Sequence, residues 1–214
     1  MVRNVVFSIG RLIDNTYYAA GTCTLINGQG LLVTAAHVVN GSDENLVTRL
    51  NTTYVAGYQD TTIQQSILIP VKIEAIDPLR DVCVLSFKGE APGQPNIKVG
   101  NTDDVNPGET VTVFGFPHSN LGRIVLTQQT CEVGAKILLS SNRIKSKHLV
   151  LNSQARPGQS GGPIIRNSDG TLIGILIGPY VPTIKGSISL GGIDPQTLHQ
   201  TTHAVSAEYL ERML

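Results

Sequence analysis

Short apolar runs, interrupted again and again by turn-forming residues, constrain this chain more than any other feature. Its 214 residues include 22 Gly and 11 Pro, and only 15% are charged. Between these breaks, apolar residues alternate with polar ones or form wholly apolar stretches, as in Val82 to Phe87 and Thr110 to Gly115. Both patterns are typical of β-strands and neither has the period of a helix. The sequence therefore predicts an all-β fold of many short strands, as in a barrel or a sandwich.

The stretch Lys88 to Asp104 has no apolar period and divides the chain into two halves of similar length. Its several Gly and Pro residues are typical of a connector. We therefore predict an N-terminal unit at residues 1–92 and a C-terminal unit at residues 93–214.

Helical spacing is confined to two segments, Ala35 to Asn40 and Ser206 to Leu214, the second with Ser206 as its predicted N-cap. A strand is expected from the start of the chain, over Val2 to Gly10. Another is expected over Arg123 to Val133, and the basic residues that follow it, at 143–148, are expected to form a loop.

The charge balance argues against several classes of partner. Sixteen Lys and Arg are matched by sixteen Asp and Glu, so the formal net charge is zero. A chain without a summed positive field has no general attraction for nucleic acid or for an anionic membrane surface. No apolar run approaches the roughly 20 residues of a membrane span. We expect neither a nucleic-acid partner nor a membrane partner.

The three cysteines, Cys23, Cys83 and Cys131, are an odd number at wide spacings. This fits neither a disulfide framework nor a zinc site, so we expect free thiols in a reducing compartment. The stretch Met1 to Gly10 contains too few consecutive apolar residues to form the core of a signal peptide. The sequence thus predicts a cytoplasmic protein, and nothing in it points to a metal or a cofactor.

The most informative string is Gly158-Gln159-Ser160-Gly161-Gly162-Pro163. A serine among glycines in a turn can expose its hydroxyl, and the small neighbours let a substrate backbone approach closely. Glycine at position 158 also lets successive amides point the same way, so the N–H groups of Gly158 and Ser160 could bind an oxyanion. A turn without chemistry is the alternative for this string alone.

Two further residues stand in settings that suit catalysis. His37 ends an apolar stretch after the small pair Ala35 and Ala36, and Asp81 opens the apolar run Val82 to Leu85. Each alone is equally compatible with a core histidine or a strand-start aspartate. In the chain order His37, Asp81, Ser160, however, they match the order given by chymotrypsin, the standard example of the serine–histidine–aspartate triad.

With these strings the sequence resembles the trypsin- and chymotrypsin-like serine peptidases, and among them the HtrA-type branch. The resemblance extends from about Ser8 to Leu214. The segments that carry it are residues 21–26, 32–39, 81–85, 115–117 and 157–163.

The resemblance implies two six-stranded antiparallel β-barrels with a short C-terminal helix. His37 and Asp81 would come from the first barrel and Ser160 from the second, with the active site in the cleft between them. It further implies a serine endopeptidase in which His37 acts as general base and then acid, Asp81 orients it, and Ser160 forms the acyl-enzyme. The partner would be a peptide or protein substrate.

The same resemblance assigns the substrate pocket to Gln154, Ala155, Ile177, Gly178 and His203. No acidic residue stands at position 154, so cleavage after Lys or Arg is not expected. Gln154 and His203 form a polar, ionisable pair, from which we predict a preference for an acidic or amide side chain. The alternative for His203 is a hydrogen-bonded core histidine.

Departures from the family pattern leave other functions open. Gln159 replaces the aspartate that pairs with a newly cut N-terminus in clipped members, so activation by clipping is not expected. HtrA-type proteins usually carry a PDZ domain after the protease, whereas these 214 residues contain the protease domain only. The chain is therefore expected to act alone or with a fused or activating protein partner. The alternatives are a protease that stays latent until a partner orders its oxyanion loop, and a catalytically silent binding module of the same fold.

Overall fold

The computed structural model describes residues 2–27, 29–50, 54–55, 57–63, 66–93, 95–180 and 201–214. Within them, one short α-helix, α1 (Ala36–Val39), accompanies a set of strands. The strands are β1 (Val6–Ile13), β2 (Thr16–Leu25), β3 (Leu31–Thr34), β4 (Leu46–Arg49), β5 (Tyr54–Val55), β6 (Tyr58–Gln59), β7 (Leu68–Asp77), β8 (Val82–Phe87), β9 (Thr110–Gly115), β10 (Thr127–Ser141), β11 (Ile144–Leu151), β12 (Pro163–Arg166), β13 (Leu172–Tyr180) and β14 (Thr201–Ser206).

Twelve of these strands form two closed antiparallel barrels. The first barrel has the order β1-β2-β3-β8-β7-β4, and the second has the order β10-β11-β14-β13-β12-β9. Strands β5 and β6 form a separate two-stranded sheet. Closure leaves no open edge around either barrel. The prediction of an all-β fold with two six-stranded barrels is thus confirmed, whereas the boundary after residue 92 stays a prediction.

The apolar core explains why the two barrels stay together. One buried cluster fills the first barrel and continues across the interface to Phe114, Phe116 and Val205 of the second barrel. A separate cluster, which includes Leu149 and Ile173, fills the second barrel. Because the first cluster belongs to both barrels, separating them would expose core side chains to water.

A hydrogen-bonded link joins strand β2 of the first barrel to the loop that carries Ser160. The backbone N–H of Thr22 donates to the Ser160 carbonyl at 2.8 Å. The buried Thr22 hydroxyl donates to the Gly158 carbonyl at 2.8 Å and accepts the Phe116 N–H at 3.2 Å. A single residue of the first barrel therefore fixes two segments of the second, one at Phe116 and one at residues 158–160.

The short apolar helix over Ala35 to Asn40 is confirmed as α1, and the connector 88–104 contains no strand among its described residues. The start of the chain differs from the prediction. A 3₁₀ helix, Val2–Val5, comes first, and β1 then continues past Gly10 to Ile13. Asp14 and Asn15 both have positive φ, of 47° and 59°, and so make the tight turn into β2.

The prediction of a basic loop at residues 143–148 is wrong. Strand β10 extends to Ser141, and β11 begins at Ile144, so the basic residues Lys145 and Lys147 lie on a strand. The turn between them is Asn142-Arg143, whose φ angles are both positive. A two-residue turn of this kind suits a long hairpin because its twist matches that of the flanking strands.

The predicted C-terminal helix is much shorter than expected. Strand β14 continues to Ser206, and only a 3₁₀ helix, Ala207–Leu210, follows it. The Ser206 hydroxyl contacts the Glu208 carboxylate at 3.0 Å and caps no backbone N–H. The buried side chain of Leu210 anchors this turn in the core. None of the helices in the described part of the chain has the length and apolarity needed to span a membrane.

The Thr22 link predicts unequal effects of two matched substitutions in β2. Thr22→Val removes the partner of two buried backbone groups and should lower the free energy of unfolding by about 1–3 kcal/mol. Thr24→Val is the control, because the equally buried Thr24 hydroxyl has no hydrogen-bond partner in the described residues. It should be neutral or slightly stabilising. Guanidinium titrations measure both values, and equal losses would contradict the role given to Thr22.

Candidate active site

The side chains of His37 and Asp81 meet at the mouth of the first barrel. The His37 Nδ1 lies 2.7 Å from Asp81 Oδ2, and the His37 backbone N–H donates to Asp81 Oδ1 at 2.8 Å. Each carboxylate oxygen thus fixes a different part of the histidine. When Nδ1–H donates to the carboxylate, Nε2 remains available as a proton acceptor.

Local structure on both sides holds this pair in place. His37 lies in α1, directly after β3, and the N–H of Ala36 donates to the Asp81 carbonyl at 3.2 Å. Asp81 has a positive φ of 59° and follows a turn in which Asp77 accepts the N–H groups of Leu79 and Arg80. The turn between β7 and β8 therefore directs Asp81 towards the histidine.

Ser160 comes from the second barrel and lies beside strand β13. Its hydroxyl donates to the Ile177 carbonyl at 2.8 Å. Among the described residues the Ser160 hydroxyl forms no other hydrogen bond. The hydroxyl must therefore rotate away from the Ile177 carbonyl before it can donate to His37. The hydroxyl is partly exposed, which a nucleophile that attacks a substrate requires.

The loop before Ser160 presents two uncommitted amides. The Gly158 carbonyl accepts from Thr22, and the Ser160 carbonyl does the same, whereas the N–H groups of Gly158 and Ser160 have no acceptor in the described part of the chain. Paired free donors beside a serine hydroxyl are the arrangement that stabilises an oxyanion.

The orientation of the Gly158 amide is set by a contact with the neighbouring loop. The N–H of His118 donates to the Pro157 carbonyl at 2.7 Å. In a trans peptide the carbonyl and the following N–H point in opposite directions, so this bond turns the Gly158 N–H the other way. Gly158 has a φ of +94°, and a Cβ there would lie 2.3 Å from the Phe116 carbonyl oxygen. Only glycine fits this position without strain.

Gln159 has a structural role that its sequence position did not reveal. Its side chain is buried, and Oε1 accepts the Arg156 N–H at 2.8 Å. The neutral amide thus closes the turn that precedes Ser160 from within the loop itself. The roles of Thr22 and His118 carry no local sequence signal, because their hydrogen-bond partners are distant in sequence.

The residues predicted to form the pocket lie together on one side of Ser160. A Cβ on Gly178 would lie 3.9 Å from the Ser160 hydroxyl oxygen, and His203 is the cross-strand partner of Gly178. Ala155 is tied to the same strand, since its N–H donates to the Thr202 hydroxyl at 2.7 Å. Gln154 precedes it with an exposed side chain. Their role in substrate selection stays a prediction.

A second histidine stands next to this pocket. In the β11–β14 ladder, His148 pairs with Val205 and Val150 pairs with His203, so the two histidines are diagonal neighbours on one face of the sheet. Burial lowers the pKa of both imidazoles, and their proximity lowers that of His203 further. Asp81 acts in the opposite direction on the pKa of His148.

The thiols take no part in the site. Cys23 and Cys83 are buried, Cys131 is half-buried, and all are free. Burial raises the pKa of the Cys83 thiol to about 12, and that of Cys23 is raised even further. Such thiols behave as small apolar side chains. In the described residues no group of three His, Cys, Asp or Glu side chains is arranged to hold a metal ion.

Comparisons with known proteins agree with this geometry. The family model for the trypsin-like peptidase domain matches residues 21–175. A probable periplasmic serine endoprotease DegP-like of Pseudomonas fulva is 31% identical over 72% of this chain and 28% of its own length. The serine protease HTRA1B of Danio rerio is 32% identical over 73% of this chain and 30% of its own length.

The chain belongs to the trypsin-like peptidase family, in its HtrA-like branch. It spans about a quarter to a third of the length of these curated relatives. The cytoplasmic location stays a prediction, and one of these relatives is named as periplasmic.

Solved structures show the same fold. The protease domain of MamO from Magnetospirillum magneticum superimposes with a TM-score of 0.71 at 18% identity, over 100% of this chain and 97% of that one. The HtrA-type protease AlgW, solved with a tripeptide, gives a TM-score of 0.66 at 18% identity over 98% of this chain and 58% of its own. The predicted double barrel is therefore a known protease fold.

The histidine pair predicts how stability depends on pH. Because burial holds the pKa of His148 below the 6.5 of an exposed histidine, the unfolded chain binds more protons than the folded one as pH falls below that value. The free energy of unfolding should therefore decrease as pH falls through about 6.5. In His148→Gln this decrease should be smaller. Urea titrations between about pH 5 and pH 8, the range in which histidines titrate, test this, and parallel curves for the two proteins would refute it.

Proposed function

We propose that this chain is an endopeptidase that cleaves peptide bonds through an acyl-enzyme on Ser160. The observation that carries the proposal is the coincidence of a histidine held by a carboxylate with a serine flanked by two free amides. The His37 Nδ1 lies 2.7 Å from Asp81 Oδ2, and within the described residues the N–H groups of Gly158 and Ser160 have no acceptor. Each part serves a different step of acyl transfer.

The first step is deprotonation of Ser160 as it attacks the substrate carbonyl. A serine hydroxyl is a weak nucleophile until a base within hydrogen-bonding reach takes its proton. That base is His37 Nε2, which the hydroxyl would reach by rotating away from the Ile177 carbonyl. Asp81 keeps the proton on Nδ1 in the neutral imidazole and stabilises the imidazolium that forms.

In the second step, the imidazolium protonates the leaving amine, and the acyl group remains on Ser160. Water then attacks the ester with His37 again as base, which returns the enzyme to its starting state. The carbonyl oxygen becomes negative in both half-reactions. The Gly158 and Ser160 N–H groups would stabilise it, and removing one such donor typically lowers turnover by about 10²–10³-fold.

The substrate would bind as an extended strand beside β13. Strand β12 pairs with β13 only as far as Ile175, so among the described residues 178–180 pair with β14 alone. This leaves an edge beside Ser160 to which a peptide can add. Pro179 on that edge has no N–H, so it cannot contribute a donor to the added strand.

For the pocket we propose a preference for an acidic or amide side chain. His203 stands beside Gly178 and is half-buried, with His148 as its neighbour. Gln154 and His203 together offer hydrogen-bond donors to a carboxylate or a carboxamide. A bound carboxylate would also favour the protonated imidazole.

The proposed mechanism predicts unequal losses for substitutions in the triad. Ser160→Ala and His37→Ala should reduce casein hydrolysis to the residual activity that substrate binding and oxyanion stabilisation supply. Asp81→Asn should lower kcat by about 10⁴-fold, because it favours the wrong imidazole tautomer. Casein hydrolysis by the purified chain measures all three. If wild type and Ser160→Ala cleaved at the same rate, the proposal would be wrong.

The pocket proposal predicts a pH-dependent selectivity. In matched peptides that differ only in Glu or Gln before the cleaved bond, the ratio of kcat/KM for Glu to that for Gln should rise as pH falls. The pKa of the His203 imidazole is lowered by burial, so this ring becomes protonated only as pH falls. The protonated ring then favours the Glu carboxylate over the Gln amide. His203→Ala should remove this pH dependence. A preference for apolar side chains that His203→Ala leaves unchanged would overturn the pocket proposal but not the protease.

A further inference from the structure

Two cavities that no triad residue lines share a wall, and together they form a groove between Arg49 of the first barrel and the segment 119–125 that follows β9. One, of about 520 Å³, lies between Tyr17, Leu68 and Asn120. The other, of about 710 Å³, lies between Tyr58, Asp60 and Val125. Arg49, Gly122 and Ile124 line both cavities. We call these two connected cavities the Arg49 groove.

The charged side chains that line the groove are two arginines and one carboxylate. Arg49 lies in the shared wall and Arg123 lies in the larger cavity, and neither guanidinium forms an ion pair with a carboxylate of the described residues. Asp60 also lines the larger cavity, and its Oδ1 accepts the N–H and the hydroxyl of Thr62, so the lining keeps an excess of one positive charge. Two guanidinium groups with free donors favour a ligand that carries carboxylates.

The backbone beside the groove favours an extended ligand. Strand β6 lines the larger cavity and belongs to the two-stranded sheet, so within the described residues its outer edge has no partner strand. Its position is fixed, because the Gln59 amide donates to the Leu126 carbonyl and accepts the Leu126 N–H, both at 2.7 Å. An unpaired edge held in this way can accept an added strand.

We propose that the Arg49 groove binds an acidic, extended peptide segment, with its carboxylates on Arg49 and Arg123 and its backbone beside β6. Carboxylates account for the arginines, and an added strand accounts for the edge. A nucleic acid would use the same guanidinium groups but would leave the strand edge unused, and the formal net charge of the chain is zero.

The floor of the groove also contacts the oxyanion loop. Ser119, Asn120 and Gly122 line the smaller cavity, and their neighbour His118 holds the Pro157 carbonyl at 2.7 Å. The hydroxyl of Ser119 is buried, has no hydrogen-bond partner in the described residues, and lies 2.3 Å from where a Cβ on Gly158 would be. A peptide in the groove would press on this segment and hold the Gly158 amide in its present orientation. This coupling rests on the proposed function, whereas binding itself does not.

The test for binding uses the full chain with Ser160→Ala, so that the probe is not cleaved. The probe is a fluorescein-labelled peptide of alternating Glu and Thr, and the matched control replaces every Glu by Gln. Fluorescence anisotropy should show saturable binding of the Glu peptide that weakens with added salt. Arg49→Gln and Arg123→Gln should each raise Kd about tenfold. Arg143→Gln, in the turn between β10 and β11, should leave Kd unchanged.

Other outcomes identify a different site. Loss of binding in His203→Ala would place the peptide in the substrate pocket and overturn the proposal. Equal binding of a single-stranded DNA oligonucleotide, or a Kd that neither arginine substitution changes, would overturn it as well. Because Arg123 is exposed, its variant remains informative if Arg49→Gln does not fold.

Coupling is tested separately in the wild-type chain. The Glu peptide should raise kcat for casein severalfold, and Arg49→Gln should abolish this rise without changing kcat in the absence of peptide. Binding without any change in kcat would overturn the coupling and leave the groove as a binding site. Absence of casein hydrolysis under all conditions would instead count against the proposed function.

Discussion

The contact between strand β2 and the loop around Ser160 is the interaction on which the rest of the site depends. Thr22 reaches across the barrel interface with its backbone N–H and its hydroxyl, and so holds the carbonyls of Ser160 and Gly158. The N–H groups that share a peptide with these carbonyls, those of Gln159 and Gly161, donate to the carbonyls of Arg156 and Leu176, so the backbone on both sides of Ser160 is fixed. A buried threonine thus holds the loop that carries the Gly158 and Ser160 N–H groups, although it touches no reacting atom.

The other parts of the site follow from how the barrels close. The hairpin turn between β7 and β8 brings Asp81 to α1, where its two oxygens hold the backbone and the ring of His37. The second barrel brings Ser160 and strand β13 to the opposite side of the cleft. Small residues make this approach possible, since a Cβ on Gly161 would lie 2.2 Å from the Thr22 carbonyl oxygen. The chemistry therefore depends on the packing of two barrels rather than on any one loop.

Much of this could be predicted from local strings. His37, Asp81 and Ser160 can be proposed from the sequence because each stands in a short segment that resembles its counterpart in the family, and the alternation of apolar residues indicates the strands. Thr22 and His118 were not found, because their hydrogen bonds join segments far apart in the sequence.

The errors in the predicted elements have a similar cause. The turns Asp14-Asn15 and Asn142-Arg143 have positive φ at both positions although neither turn contains a glycine. The pattern of the last nine residues suggested a helix, but pairing of β14 with β13 extends to Ser206 and leaves only a 3₁₀ turn. For the last segment a tertiary contact, which the local string does not contain, decides the conformation.

The central claim is that the oxyanion donors are already in place in the free chain. The most direct measurement is the rate at which a fluorophosphonate labels Ser160, followed by intact mass, in wild type, Gly158→Ala and Gly41→Ala. Gly41 is the matched control, because its φ of +68° imposes a similar strain on alanine while a Cβ there meets nothing within 4 Å. We expect a single adduct on wild type and on Gly41→Ala without any partner, and labelling slowed by about 10²-fold or more in Gly158→Ala. A folded wild-type protein that is not labelled, or equal rates for wild type and Gly158→Ala, would contradict the account.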